Sequence, residues 1–215
     1  KVIIESNDIL EYLENEFPEP ALIPQEHAKQ LRAMLKREDD LHLDIRALTM
    51  RFVFPSFMTR RPEKDILAYE TSGAGTIEGK EDPHRAVEAQ FWRDMNVHGM
   101  VTDLQAKRAL DRFADTLNDF EGALSTAKYL LGSHVSLVDI AWYIYARRLI
   151  TAGYHLHARH PLVGAWYNRL HANPNFREEV PEGGLPLMIT RVLHVAQKMR
   201  GTTLERIADR TPAHV

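Results

Sequence analysis

The chain has 215 residues, of which 44% are hydrophobic and 27% are charged, values typical of a soluble globular protein. The net charge of -3 at pH 7 gives no electrostatic reason to expect nucleic acid or a membrane surface as a partner. The sequence contains no cysteine, which excludes disulfides, thiolate nucleophiles and Cys-based metal sites within these residues. This composition is compatible with a reducing cytosol, so we expect a cytoplasmic protein.

The chain opens on a short β-rich run, Lys1–Ile4, which no second strand follows. An isolated strand cannot satisfy its own backbone groups, so we expect it to pair with strands outside this sequence and the chain to begin partway through a larger protein. Glu5 and Ser6 then lead into a predicted helix over residues 7–17. Ser6 is expected to be the N-cap, where it either only caps the helix or helps the free N–H groups to hold a ligand carboxylate.

Apolar spacing predicts one long helix from residue 25 to about residue 54, ended by Pro55. The predicted buried stripe is Leu31, Met34, Leu35, Leu41, Ile45, Leu48 and Phe52. The charged run at residues 37–40 is expected on the solvent-exposed side of this helix. Residues 59–82 are expected to form an irregular loop, and Gly73-Ala-Gly75 within them lacks the strand and the GK[ST] sequence of a phosphate-binding loop.

Two amphipathic helices are predicted over residues 83–101 and 103–124, followed by the clearest signal in the chain, the stretch Ser133–Ile150. Ser136 and Asp139 have the spacing of a capping box, which favours a structural role for both. From Ser136 onward the residues are apolar on every face, which is typical of a helix buried inside a bundle and ended at Gly153. The run is shorter than the ~20 apolar residues that a membrane span needs.

A histidine-rich connector, Tyr154–Pro161, follows this central helix. A connector before a proline is usually exposed, and no cysteine or nearby carboxylate completes a metal shell around its histidines, so no metal site is predicted. A short helix is predicted over 162–172 and a last amphipathic helix over about 185–199, followed by a polar tail expected to fray. No serine, histidine and acid spacing indicates a nucleophilic triad.

Three segments, in order, resemble cytosolic glutathione transferases. VIIESNDILEYLENEFPEPALIP is similar to the last strand and third helix of their thioredoxin-like domain. YLLGSHVSLVDIAWY resembles their capped core helix, and HPLVGAWYNRLHANPNF resembles the helix that follows it. The resemblance implies a mainly α protein: the end of a thioredoxin-like domain at 1–20, an all-helical C-terminal domain at 25–200 and a polar tail at 201–215. It also implies a homodimer.

In that family, residues matching Glu5 and Ser6 bind the γ-glutamyl end of glutathione, which is a co-substrate. The implied reaction is attack of the glutathione thiolate on a small electrophile that is aromatic or hydrophobic. The thiol-activating turn lies outside this sequence, so no catalytic residue is assigned. The resemblance places the wall of the electrophile pocket on the helix after residue 25. Candidate residues for that wall are Arg46, Met50, Phe54 and Phe57. An acid on this helix, Asp39 or Asp40, is a candidate for reaching the glutathione of a partner subunit.

The connector after the core helix and the long 59–82 insertion resemble bacterial transferases related to the β-aryl etherases, which use glutathione to displace an aryl ether. Such an enzyme needs an aromatic pocket, for which the candidates are Phe52, Phe54, Phe57 and Trp92. Two alternatives remain: a non-catalytic assembly or binding module on the same scaffold, and a freestanding helical bundle unrelated to glutathione. The Glu5-Ser6 pair argues against the first, and the unpaired strand at Lys1–Ile4 argues against the second.

Overall fold

The computed structural model describes residue 3 and residues 6–72, 84–178 and 185–210, with the side chains of 185–187 left undescribed. The described parts are helical and contain no strand. The α-helices are α1 Ser6–Glu16, α2 Ala28–Asp40, α3 His42–Phe52, α4 Glu63–Ser72, α5 Arg85–His98, α6 Asp103–Leu124, α7 Leu137–Ala152, α8 Leu156–Arg159, α9 Pro161–His171, α10 Pro174–Arg177, α11 Leu185–Arg200 and α12 Leu204–Ala208. The predicted strand at Lys1–Ile4, except Ile3, lies outside the described residues, as do Glu5 and Gly73-Ala-Gly75.

Helix α7 is the centre of the bundle and packs against α2, α3 and α9. The prediction of a buried core helix is confirmed, because Val138, Trp142 and Leu149 are almost completely inaccessible to solvent. The ring of Trp142 meets Phe120 of α6 edge-on, with 4.8 Å between ring centroids, and lies 5.6 Å from the ring of Tyr145 in a similar arrangement. Such edge-to-face pairs add to the free energy gained from burial alone.

The predicted capping box at the start of α7 is also present. The Asp139 carboxylate, which is fully buried, accepts hydrogen bonds from the Ser136 backbone N–H at 2.9 Å and from the Ser136 hydroxyl at 2.8 Å. Its other oxygen accepts from the Leu130 backbone N–H at 3.0 Å and from Trp166 Nε1 at 2.8 Å. Asp139 therefore joins the loop before α7 to α9, which supports the structural role expected for it.

The single helix predicted over residues 25–54 is wrong, because the chain breaks at Leu41 between α2 and α3. Leu41 has φ -103° and ψ 3°, and its N–H bonds to the carbonyl of Glu38, only three residues back. The side chain of Leu41 is buried, and the His42 ring nitrogen Nδ1 lies 2.9 Å from the Asp39 carbonyl oxygen. The tight turn keeps Leu41 in the core while it redirects α3.

The irregular segment predicted at 59–82 is also partly wrong, because residues 63–72 form α4. Helices α4 and α5 pack side by side, and Ile66 of α4 is buried. Arg93 of α5 donates to Glu63 at 3.0 Å and, through Nη1, to Glu70 at 2.8 Å. Ion pairs thus hold α4 against α5, and the sequence of α4 lacks the regular apolar spacing by which a helix is predicted.

The last part of the chain is more ordered than expected. In the connector after α7, Tyr154, Leu156 and His160 are buried, so the prediction of an exposed connector is wrong at these positions. The tail expected to fray contains α12, which packs on α6 and buries Leu204 and Ile207. In both segments, short apolar patterns are stabilised by tertiary contacts that a local pattern does not reveal.

Helix α1 is attached differently from the other long helices, because none of its residues is buried. Leu10 is partly buried against the core, and the other described ties of α1 to the bundle are polar: Asn7 donates to the Leu35 carbonyl at 3.2 Å, and Glu11 pairs with Arg32 at 2.8 Å. Glu14 accepts from the backbone N–H groups of the linker residues that follow α1, at 2.7 Å each. Among the described residues, no helix is long and apolar enough to cross a membrane.

Candidate functional site

A polar cavity of about 220 Å³ opens where the start of α1 faces the break between α2 and α3. It is lined by Ser6, Glu38, Asp39, His42, Tyr69, His84, Glu88 and Tyr145. These side chains come from six helices, α1 to α5 and α7, so the cavity exists only once the bundle has assembled. Apart from Ser6 and Asp39, its lining was not predicted as a binding site from the sequence.

Ser6 is the first helical residue of α1, one position inside the boundary expected for an N-cap. The first N–H groups of a helix have no partner within it, and Asp8 lies in the first turn of α1. The N-terminus of α1 and the Ser6 side chain are therefore brought to the cavity, as an anion site would require. Glu5, the other predicted glutathione-binding residue, lies outside the described residues.

Glu88 of α5 holds one wall of the cavity together. Its Oε1 accepts from Arg46 Nη2 at 2.8 Å and its Oε2 accepts from the Tyr69 hydroxyl at 3.2 Å. His42 Nε2 lies 3.5 Å from the same Oε1. The close contact with His42, followed by the hydrogen bonds from Arg46 and Tyr69, lowers the pKa of Glu88 to about 2 against the opposing effect of burial. Glu88 is thus ionised at neutral pH, and the Arg46 guanidinium beside the cavity is already paired with it.

Two of the histidines that line the cavity are in contact with each other. The rings of His42 and His84 meet edge-on with 5.0 Å between centroids. His84 Nε2 lies 3.9 Å from an Asp39 carboxylate oxygen. The close contact with Glu88 raises the pKa of His42, and its backbone contact to Asp39 acts in the same direction against the opposing effect of burial. This wall therefore places a proton-binding imidazole next to two carboxylates.

The expectation that the whole charged run at residues 37–40 is solvated is wrong for Glu38, which is buried at the back of the cavity. Burial raises the pKa of Glu38, although a hydrogen bond with Tyr145 opposes this. Burial also raises the pKa of Tyr145 and lowers the pKa of Arg148, whose Nη2 donates to the Thr49 hydroxyl at 3.0 Å. Asp40, by contrast, pairs with Lys36 at 2.7 Å away from the cavity.

The predicted electrophile-binding residues do not share this cavity. Met50 and Phe54 are partly buried further along α3 and just beyond its end, and Phe57 is 77% exposed. Phe52, proposed for an aromatic pocket, is fully buried in the core and cannot contact a ligand. Trp92 is buried beneath Arg61, whose guanidinium carbon lies 4.2 Å from the ring centroid. The assignment of Phe52 to a ligand pocket is therefore wrong. The assignments of Arg46, Met50, Phe54, Phe57 and Trp92 remain predictions.

One sequence signal could have identified part of the lining. Glu38 and His42 are four residues apart, which would place them on one side of the helix predicted over residues 25–54. This pattern was hidden because residues 37–40 were interpreted as a solvated run. Within the described ranges, no group of three or more His, Asp or Glu side chains is arranged to hold a metal ion. The lining combines a serine at a helix N-terminus with three carboxylates, two imidazoles and two phenols.

Comparison with known proteins agrees with the fold. Residues 90–169 match the family described as "Glutathione S-transferase, C-terminal domain". The crystal structure of the β-etherase LigF from Sphingobium sp. strain SYK-6 superimposes with a TM-score of 0.63 at 21% sequence identity, covering 83% of this chain and 73% of that one. No curated protein matches the sequence. The resemblance seen in the sequence is therefore supported over residues 90–169, which are similar to a glutathione S-transferase C-terminal domain, and the superposition shows a shared fold.

Proposed function

We propose that the protein is a glutathione S-transferase, in which the γ-glutamyl end of glutathione binds at the start of α1. The observation that carries this proposal is the position of Ser6, which lies at the N-terminus of α1 and on the wall of the polar cavity. Free N–H groups and the helix dipole favour a carboxylate there, and the serine hydroxyl can donate a further hydrogen bond. Glu5 is proposed as the neighbouring acceptor for the ligand's ammonium group.

The acids of the cavity support the same orientation of the ligand. Asp39 lines the cavity together with Ser6 of its own chain, so we propose that it attracts the ammonium group of the same glutathione molecule. Glu38 lies deeper and is more buried, which makes Asp39, with a side chain 38% exposed, the more accessible partner. A contact from Asp39 to a partner subunit is not required by this arrangement.

The proposed reaction is nucleophilic displacement by the glutathione thiolate at an electrophilic carbon. The structural neighbour is named as a β-etherase, and we propose an aryl ether as the electrophile. In that case a carbon–sulfur bond forms as the carbon–oxygen bond breaks, and the phenolate leaves. Arg46, Met50, Phe54 and Phe57 remain the proposed wall of the electrophile site, supported by the exposure of Phe57. The cytoplasmic location and the homodimer also remain predictions, and for such a transferase we further propose a role in detoxification.

The decisive experiment measures glutathione binding by calorimetry for the parent protein and for Ser6→Ala. Loss of a hydrogen bond to a charged group should raise Kd by about tenfold or more. Ser6→Thr, which keeps the hydroxyl, should bind more tightly than Ser6→Ala. Ser125→Ala removes an exposed hydroxyl whose described bond is to the Gly122 carbonyl of its own helix, and it should bind like the parent.

Equal affinity of Ser6→Ala and the parent would refute the assignment of Ser6. A conjugation assay with a model aryl ether then separates the two functions that share this scaffold. Glutathione binding together with phenolate release supports the transferase. Binding with no release from any aryl ether or halogenated arene would favour the non-catalytic binding module.

A further inference from the structure

Helix α11 presents polar groups to the bundle. The Thr190 hydroxyl donates to the Val53 carbonyl at 3.2 Å, at the end of α3. His194 Nε2 lies 3.1 Å from the Phe52 carbonyl oxygen, which also accepts from Gln197 at 3.5 Å. Thr190 and Gln197 are buried. The side of α11 that faces the bundle thus satisfies carbonyl groups left without helical partners at the C-terminus of α3.

The opposite side of α11 is apolar and exposed, which reverses the usual arrangement of a surface helix. We call this side the α11 seam; it consists of Met188 (64% exposed), Val192 (71%), Val195 (60%) and Met199 (79%). The four residues are separated by intervals of four, three and four, the spacing by which one helix packs along another. Single exposed apolar residues are common, but a continuous seam of this spacing marks an interaction surface.

One edge of the seam carries positive charge. Arg191 and Lys198 are exposed and lie seven residues apart, so both border the seam on the same edge. Within the described ranges, the side chain of neither residue forms an ion pair or another polar contact. The sequence of α11, LPLMITRVLHVAQKMR, contains no acidic residue.

This charge pattern distinguishes between possible occupants. In an antiparallel pair of α11 helices from two copies, the cationic edges would face each other and repel. In a parallel pair, Arg191 and Lys198 would face the edge that carries Ile189 and Ala196, where no acid compensates them. A lipid surface is matched by a broad exposed apolar face, whereas the exposed residues of this seam cover a narrow arc of the helix and the neighbouring Ile189 and Ala196 are only partly exposed. A helix with acidic flanks satisfies both the apolar and the charged parts of the surface.

We propose that the α11 seam docks an amphipathic helix of another protein, one that carries glutamate or aspartate beside its apolar residues. The partner's apolar side chains cover the seam, and its acids pair with Arg191 and Lys198. This inference does not depend on glutathione binding, because the seam lies outside the polar cavity at Ser6.

The test uses the full-length protein and two synthetic helical peptides of three heptads, with leucine at the seam positions and either glutamate or lysine at the flanking positions. Fluorescence anisotropy at low salt should show that the glutamate peptide binds about tenfold more tightly than the lysine peptide. Val195→Asp should abolish binding of both. The double variant Arg191→Glu with Lys198→Glu should reverse the preference, whereas Arg108→Glu, at an exposed position on α6, should leave it unchanged.

Four results would overturn the proposal. Two are equal affinity for the two peptides and binding that survives Val195→Asp. The third is sedimentation showing self-association of the parent that Val195→Asp abolishes, since a second copy would then cover the seam. The fourth is binding to phosphatidylserine vesicles without binding to the glutamate peptide. All four substituted positions are exposed, so circular dichroism of each variant should confirm an intact fold.

Discussion

Replacing Asp139 by alanine should be among the most destabilising single changes in the chain. The carboxylate is fully buried and accepts four hydrogen bonds, and its loss leaves the backbone N–H groups of Leu130 and Ser136 and the indole N–H of Trp166 without an acceptor. Each unsatisfied buried donor costs roughly 1–3 kcal/mol, so the free energy of unfolding should fall by about 4 kcal/mol. That is a large share of the ~5–15 kcal/mol that stabilises a typical protein.

Urea unfolding followed by circular dichroism measures this change. Asp119→Ala is the matched control, because the Asp119 side chain is 66% exposed and pairs with Arg37 on the surface, an interaction worth at most about 1 kcal/mol. Asp139→Asn keeps the shape but turns an N–H₂ group towards some of the donors, and it should fall between the two. A loss for Asp139→Ala no larger than for Asp119→Ala would show that water or local rearrangement satisfies the donors, and the reasoning would be wrong.

Glu88→Gln should flatten the acid limb of the stability profile. The folded-state pKa of Glu88, about 2, lies below its ordinary value of 4.5, so its contribution is present above pH 4.5 and is lost as the pH falls towards 2. That contribution is on the order of 3 kcal/mol, and urea unfolding at pH 7 and pH 3 should detect roughly 2 kcal/mol of it, because the folded state is still mostly ionised at pH 3. The same change should lower the pKa of His42, which NMR titration of its ring protons detects, because the bond to Glu88 is the main cause that raises it. Gly153→Ala should cost about 1–2 kcal/mol, since φ is +99° there, whereas Gly122→Ala, inside α6 with open space around the added methyl group, should gain about 0.5–1 kcal/mol in thermal or urea unfolding.

The elements that the sequence predicted well are those encoded by contacts close in the chain. The helix over 103–124 has the predicted limits, because Thr102 caps it with Gln105 and a regular apolar stripe follows. The capping box at Ser136 and the left-handed glycine at residue 153 likewise bound α7 as expected. In each case the residues that indicate the helix boundary lie within one turn of it.

The break at Leu41 and the helices α4 and α12 depend on partners distant in sequence. Leu41 leaves the helical conformation while its side chain stays in the core, and no neighbouring glycine or proline indicates that the helix ends there. Helix α12 has only five residues and is ordered by burying Ile207 against the bundle. Such short elements are unstable alone, so their existence follows from tertiary packing.

The candidate site was only partly predictable for the same reason. Ser6 was identified because it lies beside a recognisable strand-to-helix boundary. Glu88 and Tyr69 come from helices brought to the cavity by the packing of α4 on α5, and nothing in their immediate sequence indicates that they meet. Glu38 was assigned to solvent because a charged residue in a charged run is usually exposed, although here it is buried beside Tyr145.

The polar attachment of α1 has a consequence for how binding would be detected. A helix with no buried residue opens at a small free-energy cost, so its amide hydrogens exchange with solvent much faster than those of α7. A ligand that binds only when α1 is docked opposes this opening, by an amount set by its concentration relative to Kd. Occupancy of the cavity would thus appear first as slower amide exchange within Ser6–Glu16, while the melting temperature of the whole bundle hardly moves.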